Sequence, residues 1–313
     1  MQSHFAMQSD DIYNNSRLIF HALGPKFDLA QHEGIDPSVS ITAMEIGLGD
    51  FMAKNPNMPA QMQNRLVNVQ KSLARAKTNY LICIGLVKLA DEPSSVGKMA
   101  LELAREADSL AQTESHPSIL FVGGHYLYSK EGSLGGHTAT YDVMRQADGK
   151  LCFTLINTLK AENDKSESDL LQEEVYSNLN TTDLDEDFWK NVIKLNYMNP
   201  FKGKFLMEAF YTYLDKKLNK GSNKTVGRSF RRQVKGVCGW KSISVWLHGK
   251  VAPCKNILDR IEHDELVYLG YKRGMFERMQ ASFRPDASLD LQSAQILITE
   301  LGKKIQKMNN LLK

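Results

Sequence analysis

The sequence predicts an α+β protein, a small antiparallel sheet set among helices, and three observations carry that prediction. Apolar residues recur every three to four positions through much of the first half and again toward the C-terminus. Between about 118 and 156 that period gives way to short runs rich in Val, Ile, Thr, Tyr and Phe. An Asp-Gly pair separates two of those runs, where a hairpin needs residues that tolerate positive φ.

The elements follow in order. From Pro59 to Leu89, the residues Met62, Leu66, Val69, Leu73, Ala76 and Leu81 keep helical spacing. A break at Asp91–Ser95 precedes a second helix over Val96–Ala111, striped by Met99, Leu101, Leu103, Ala107 and Leu110. Ser118–Val122 reads as a buried strand closed by Gly123-Gly124. After a Gly/Ser loop, His137–Val143 reads as a second strand, Ala147-Asp148-Gly149 as the turn, and Leu151–Ile156 as a third strand ending at Asn157. Glu162–Asp187 follows as an acidic connector, ten Asp/Glu against one Lys, read as a solvated loop. Helices are expected over Leu184–Asn196 and Lys204–Leu218. A Gly/Ser/Asn break then opens a basic stretch, Lys224–Lys235, also read as a loop. Gly236-Val237-Cys238-Gly239 leads into a helix over Trp240–Leu247, and further helices are expected at Asn256–Tyr271 and Leu289–Leu312. The organisation is therefore a helical region over 1–115, a core over 116–250 and a second helical region over 251–313.

Composition bounds the function. With 42% hydrophobic and 24% charged residues, the 313-residue chain has the make-up of a soluble globular protein with a sizeable core. A net charge of +3, with no interleaving of aromatic and basic residues, gives no footprint for nucleic acid. No run of about 18 apolar residues is present to span a bilayer, and no basic-then-apolar leader opens the chain. Cys83, Cys152, Cys238 and Cys254 are widely spaced, so neither a zinc site nor a disulfide framework is expected, and no cofactor is called for. The chain reads as made for a reducing cytosol, its own or that of a host cell into which it is delivered.

The chemistry centres on Gln233-Val-Lys-Gly236-Val-Cys238-Gly239-Trp240. A cysteine between glycines at a helix start lies near unsatisfied backbone N–H groups and the positive end of the dipole, which favours thiolate. Gln233, five residues upstream, is placed to offer its amide to an oxyanion. A base is supplied by Gly135-Gly136-His137 at the start of a strand. Asn157 ends the paired strand twenty residues later, so the hairpin brings it to the imidazole that it would orient. His125, after the other Gly-Gly pair, is the rival base. Cys83 and Cys152 lie in apolar patterns and read as core. Trp240 and Trp246 read as the packing face of the nucleophile helix, with Trp240 alternatively lining a cleft.

The order His, about twenty residues, Asn, then a distant Gln and Cys-Gly resembles the ubiquitin-like-protein cysteine proteases, whose members include bacterial effector deubiquitinases, deconjugases and acetyltransferases. The resemblance covers about 119–247. It implies a permuted papain-like core, with His before Cys, and a thiol isopeptidase that cleaves after the C-terminal Gly of ubiquitin or a ubiquitin-like modifier. By motif, His137 matches the base, Asn157 the orienting residue, Gln233 the oxyanion donor and Cys238 the nucleophile, with Gly136, Gly239 and Trp240 beside the substrate. The family usually has an acid where this chain has Asn157, six residues rather than five from Gln to Cys, and often an aromatic residue at the position of Thr138.

Subsidiary readings complete the expectation. The acidic connector would steer the arginines of a ubiquitin-like tail, and the two Gly-Gly pairs would wall a narrow tunnel for it. The basic stretch 224–235 would alternatively hold an anionic ligand: an acidic partner surface, anionic lipid or a polyphosphate. Two other functions use the same residues: an acyltransferase with acetyl-coenzyme A as donor, and a binding protein that keeps the shell without catalysis.

Overall fold

The structure is a computed structural model, and it describes residues 16–23, 36–89, 93–110, 118–128, 134–158, 170–198, 205–219, 224–231, 238–253, 262–284 and 291–312. Among the described residues, four helices come first: α1 (Ser16–Leu23), α2 (Pro37–Lys54), α3 (Ala60–Leu89) and α4 (Pro93–Ser109). The start of α2 is set locally, because Asp36 caps it by accepting from the Ser38 N–H at 2.7 Å and Pro37 occupies the first turn. The two long stripes expected as helices form α3 and α4, each within three residues of the expected bounds.

The sheet has five antiparallel strands in the order β1-β2-β3-β4-β5: Ser118–Tyr128, Leu134–Arg145, Leu151–Ile156, Leu170–Leu179 and Lys224–Arg231. The hairpin between β2 and β3 closes as expected. Gln146 N–H donates to the Lys150 carbonyl at 2.7 Å, Asp148 accepts from the Lys150 N–H, and Gly149 takes φ 84°. Three expectations are corrected. Gly123-Gly124 does not close the first strand, which continues through both glycines to Tyr128. The middle of the acidic connector is β4, and most of the basic stretch is β5.

The reason for the last two is electrostatic. Each segment is too charged to look like a strand by itself, yet paired they neutralise one another. Glu173 of β4 forms an ion pair with Arg228 of β5, and Lys224 reaches Glu174 at 2.8 Å and Asp215 at 2.9 Å. Of those two stretches, residues 162–169 and 232–235 lie outside the described residues, and the connector's end, 180–187, forms a 3₁₀ turn and the start of the next helix.

Between β4 and β5 come a 3₁₀ turn (Thr181–Leu184), α5 (Glu186–Ile193), a π-helical turn (Lys194–Met198) and α6 (Phe205–Leu218); α7 (Cys238–Val251), α8 (Glu262–Ser282) and α9 (Leu291–Leu311) follow among the described residues. Both sheet faces are covered. On one, Phe121, Tyr141 and Phe153 form a stack with centroids 6.0 and 5.9 Å apart, and Phe188, Trp189 and Phe210 of α5 and α6 pack on it. On the other, α7 lies along β2 and is backed in turn by α2, α3 and α8. Covering both faces explains why Ile119, Leu120, Phe121 and Val122 are all buried instead of alternating. The core is continuous from Leu18 to Met308, so the flanking helices share it with the sheet. Among the described residues, no helix is long and apolar enough to cross a membrane.

Candidate active site

Cys238 is the first residue of α7, a fourteen-residue helix whose N-terminus meets the end of the sheet where β2 begins. The turn of N–H groups that opens any helix is thus directed at this sulfur's surroundings. Cys238 is only 9% exposed. Burial alone pushes a thiol up, as it does for Cys83 and for Cys152, which reaches about 11. At Cys238 the balance is reversed: burial raises the thiol, but hydrogen bonding to His137, the charge of its imidazole, and the backbone and hydroxyl of Thr138 bring it below the usual range. Of these three cysteines, Cys238 alone has its thiol lowered, and it alone has an imidazole beside it.

His137 reaches Cys238 because of β2, and Asn157 reaches His137 because of the hairpin. The ladder between β2 and β3 begins at Thr140 opposite Ile156, so His137 and Asn157 lie just beyond its end. There His137 Nε2 and Asn157 Oδ1 are 2.7 Å apart. An amide oxygen can only accept, so Nε2 carries the proton, and Nδ1 of a neutral ring is left as the acceptor for the thiol proton. Asn157 in turn donates through Nδ2 to the Tyr211 hydroxyl at 2.5 Å. Chain order is therefore sulfur, imidazole, amide, phenol.

Main-chain packing fixes the base from behind. Gly124, at φ 138°, lies so close to β2 that a Cβ there would come within 1.9 Å of the His137 carbonyl oxygen. At Gly123 the same atom would meet Tyr141 and Asn196 at 2.4 and 2.8 Å. Those two glycines are consumed by packing, which corrects their expected place in a tunnel wall. Buried Asn196, on the π-helical turn, holds this approach: its Oδ1 accepts from the Gly124 N–H at 2.7 Å and from the Tyr141 hydroxyl at 2.6 Å, and its Nδ2 donates to the Val192 carbonyl.

The expected site residues are thus placed as follows. Cys238, His137 and Asn157 come together. His125 is the cross-strand partner of His137 on β1, and it is the His137 ring that engages Asn157 and Cys238. Gly136 lies on β2 one residue before the base, paired with Tyr126, and Gly239 is buried in the first turn of α7. Trp240 is 6% exposed and packs in the core beside a small void shared with Met44, Leu247 and Tyr271, the reading of it as a packing residue. Gln233 and Cys254 lie outside the described residues. Tyr211 and Asn196 carry no signal in the sequence, and Thr138 stands out there only as a departure from the family pattern, with no role read for it.

Among the described residues, no cluster of His, Cys, Asp and Glu could hold a metal ion. A groove of about 600 Å³ opens between α3, α4 and β1, but neither histidine nor cysteine lines it, and its Arg75 is paired with Glu106 at 2.7 Å. What the assembled side chains can do is generate a thiolate beside an imidazolium and return the proton to a leaving group. No model of a known protein family matches the chain, and no curated protein matches it significantly.

Proposed function

We propose that the protein is a cysteine hydrolase of permuted papain-like architecture, a thiol isopeptidase acting on ubiquitin or a ubiquitin-like modifier. The observation that supports this best is the unbroken contact from Cys238 through His137 to Asn157, with the sulfur at a helix N-terminus. In the reaction, His137 Nδ1 takes the thiol proton, and the thiolate attacks the carbonyl carbon of the Gly–Lys isopeptide bond. The oxyanion that forms accepts from the Cys238 backbone N–H, and Gln233 is proposed as the second donor. Imidazolium then protonates the departing lysine amine as the C–N bond breaks, leaving a thioester. Water, deprotonated by the same ring, releases the modifier's carboxylate and restores the thiol.

Two observations bear on the other readings. Lys224 and Arg228, which an acyl-coenzyme A donor would need for its phosphates, are already paired with carboxylates of β4 and α6, which weighs against the acyltransferase. The contact of His137 with both Cys238 and Asn157 favours a catalytic site over a shell kept only for binding. The test is intact-mass labelling of wild type and Cys238→Ala with electrophilic probes built on ubiquitin and its relatives. A Cys238-dependent adduct supports the reading and names the modifier. No adduct across the panel, with Cys238 still alkylated fast, sinks the isopeptidase; labelled acetyl-coenzyme A then tests acyl transfer.

A further inference from the structure

We infer that Tyr211 is a positioning residue for the base, fixing which end of the Asn157 amide faces His137; the inference rests on the catalytic reading of Cys238 and His137. An acid in the third position presents two equivalent oxygens, and either serves the imidazole. An amide does not have that freedom. Turned one way, Asn157 offers Oδ1 to the Nε2 proton; turned the other, it offers N–H to N–H, which repels that proton and favours the tautomer with its proton on Nδ1, the nitrogen that must be free to accept. A chain with Asn here therefore needs something that distinguishes the amide's two ends.

Tyr211 is suited to that task. It projects from α6 toward the end of β3, and its hydroxyl oxygen accepts from Asn157 Nδ2 at 2.5 Å, while Asn157 Oδ1 stands 2.7 Å from His137 Nε2. Its neighbour Phe210 anchors the helix on the sheet, with its ring 5.3 Å from that of Tyr141, and Leu214 and Leu218 are fully buried on the same helix. Burial pushes the Tyr211 phenol up to about 12, so it stays neutral wherever the enzyme works. In this arrangement the neutral phenol meets the amide NH2 with an oxygen lone pair, the complement of that group.

This makes a prediction that packing alone does not. Tyr211→Phe removes only the hydroxyl and is expected to lower the rate of Cys238 alkylation by iodoacetamide at pH 6 by about tenfold, the size of effect one hydrogen bond carries. The pH midpoint of that rate should move upward. In an Asn157→Asp background, where no end needs choosing, the same substitution should change the rate by less than about twofold. Equal losses in both backgrounds, or no loss in either, would overturn the inference. Should Asn157→Asp fail to fold or to react, the nitrogen resonances of the His137 ring in Tyr211→Phe decide. A mixture of tautomers upholds the positioning role; an undisturbed Nε2–H form overturns it. Neither readout uses a substrate. A wild-type Cys238 no more reactive at pH 6 than a free thiol would instead overturn the catalytic reading, independently of Tyr211.

Discussion

Replacing Gly124 by alanine adds one methyl group more than ten residues from His137 in sequence, yet the structure makes it a substitution beside the candidate active site. The new Cβ would lie 1.9 Å from the His137 carbonyl oxygen and 2.9 Å from the Thr138 Cα. Both are main-chain atoms and cannot swing aside. To restore an ordinary contact of about 3.4 Å, β1 and β2 must part by about 1.5 Å at His137. The φ of 138° adds about 1–3 kcal/mol of backbone strain for any residue with a Cβ. A misplacement of about 1 Å costs on the order of a hundredfold in a preorganised site. Gly124→Ala should therefore lower Cys238 alkylation at pH 6 by that order and lower the urea midpoint together with it. Gly85→Ala is the control: nothing lies within 4 Å of its Cβ, it sits within α3, and alanine there should leave reactivity unchanged and stability equal or higher. Wild-type reactivity and midpoint in Gly124→Ala would refute the claim that β1 presses on the base.

Three further outcomes are expected. Thr138→Val keeps the side chain's shape and removes a hydroxyl that helps to lower the Cys238 thiol, so the thiol should rise; because the alkylation rate follows the thiolate fraction, its profile should slide to higher pH, and an unmoved profile would mean that the hydroxyl contributes nothing. Peptide mapping after brief alkylation of folded protein at pH 6 should find label at Cys238 and none at Cys83 or Cys152, whose thiols burial holds high; labelling of all three at one rate would contradict the difference. Lys250→Met and Asp142→Asn should each cost about 3–5 kcal/mol in urea unfolding, since either leaves a lone charge where both side chains are under 10% exposed, while the double variant should lose clearly less than the two losses combined; strict additivity would show that the pair is not coupled.

Why the Cys238–His137–Asn157 grouping was legible in sequence and its supports were not follows from the range of the interactions. His137 and Asn157 belong to one hairpin, whose register an Asp-Gly turn and alternating strands determine locally. A cysteine between glycines at a helix start is likewise a local pattern. The α2 start, Asp36-Pro37, is a local cap signal of the same kind. By contrast, β4 and β5 become strands only by pairing Glu173 with Arg228 and Glu174 with Lys224, positions some fifty residues apart whose charges hide them when each is read alone. Tyr211 meets Asn157 across 54 positions and Asn196 meets Gly124 across 72. Composition cannot announce such contacts, since any of the tyrosines and asparagines would look the same. The continuation of β1 through two glycines was missed for a related reason: glycine usually ends a strand, and here it persists because another backbone must approach closely.

What the local patterns leave unexplained is how Cys238 and His137, about a hundred positions apart, come to face each other. The answer lies at the far end of both elements. Asp142 of β2 accepts from the Trp246 indole at 2.8 Å and from the Lys250 ammonium at 2.7 Å, two residues one helical turn apart on the same face of α7. From Asp142 back to His137 is five residues of strand, about 17 Å. From Trp246 and Lys250 back to Cys238 is eight and twelve residues of helix, about 12 and 18 Å, and the lysine side chain leans toward the helix N-terminus. The two arms are of similar length, so a single buried contact at one end brings sulfur and imidazole level at the other. Arg228 adds a second fastening: it bonds Glu173 on β4 and lies against Gly249, where a Cβ would come within 1.9 Å of the guanidinium. A helix held only by apolar packing has neighbouring registers one turn apart, 5.4 Å along its axis, and slipping by one would separate nucleophile from base. Apolar contacts tolerate such a slip far better than a buried ion pair, which would be left as two lone charges. The ionic groups buried between α7 and the sheet thus contribute register, and register is what the Cys238–His137 pair requires.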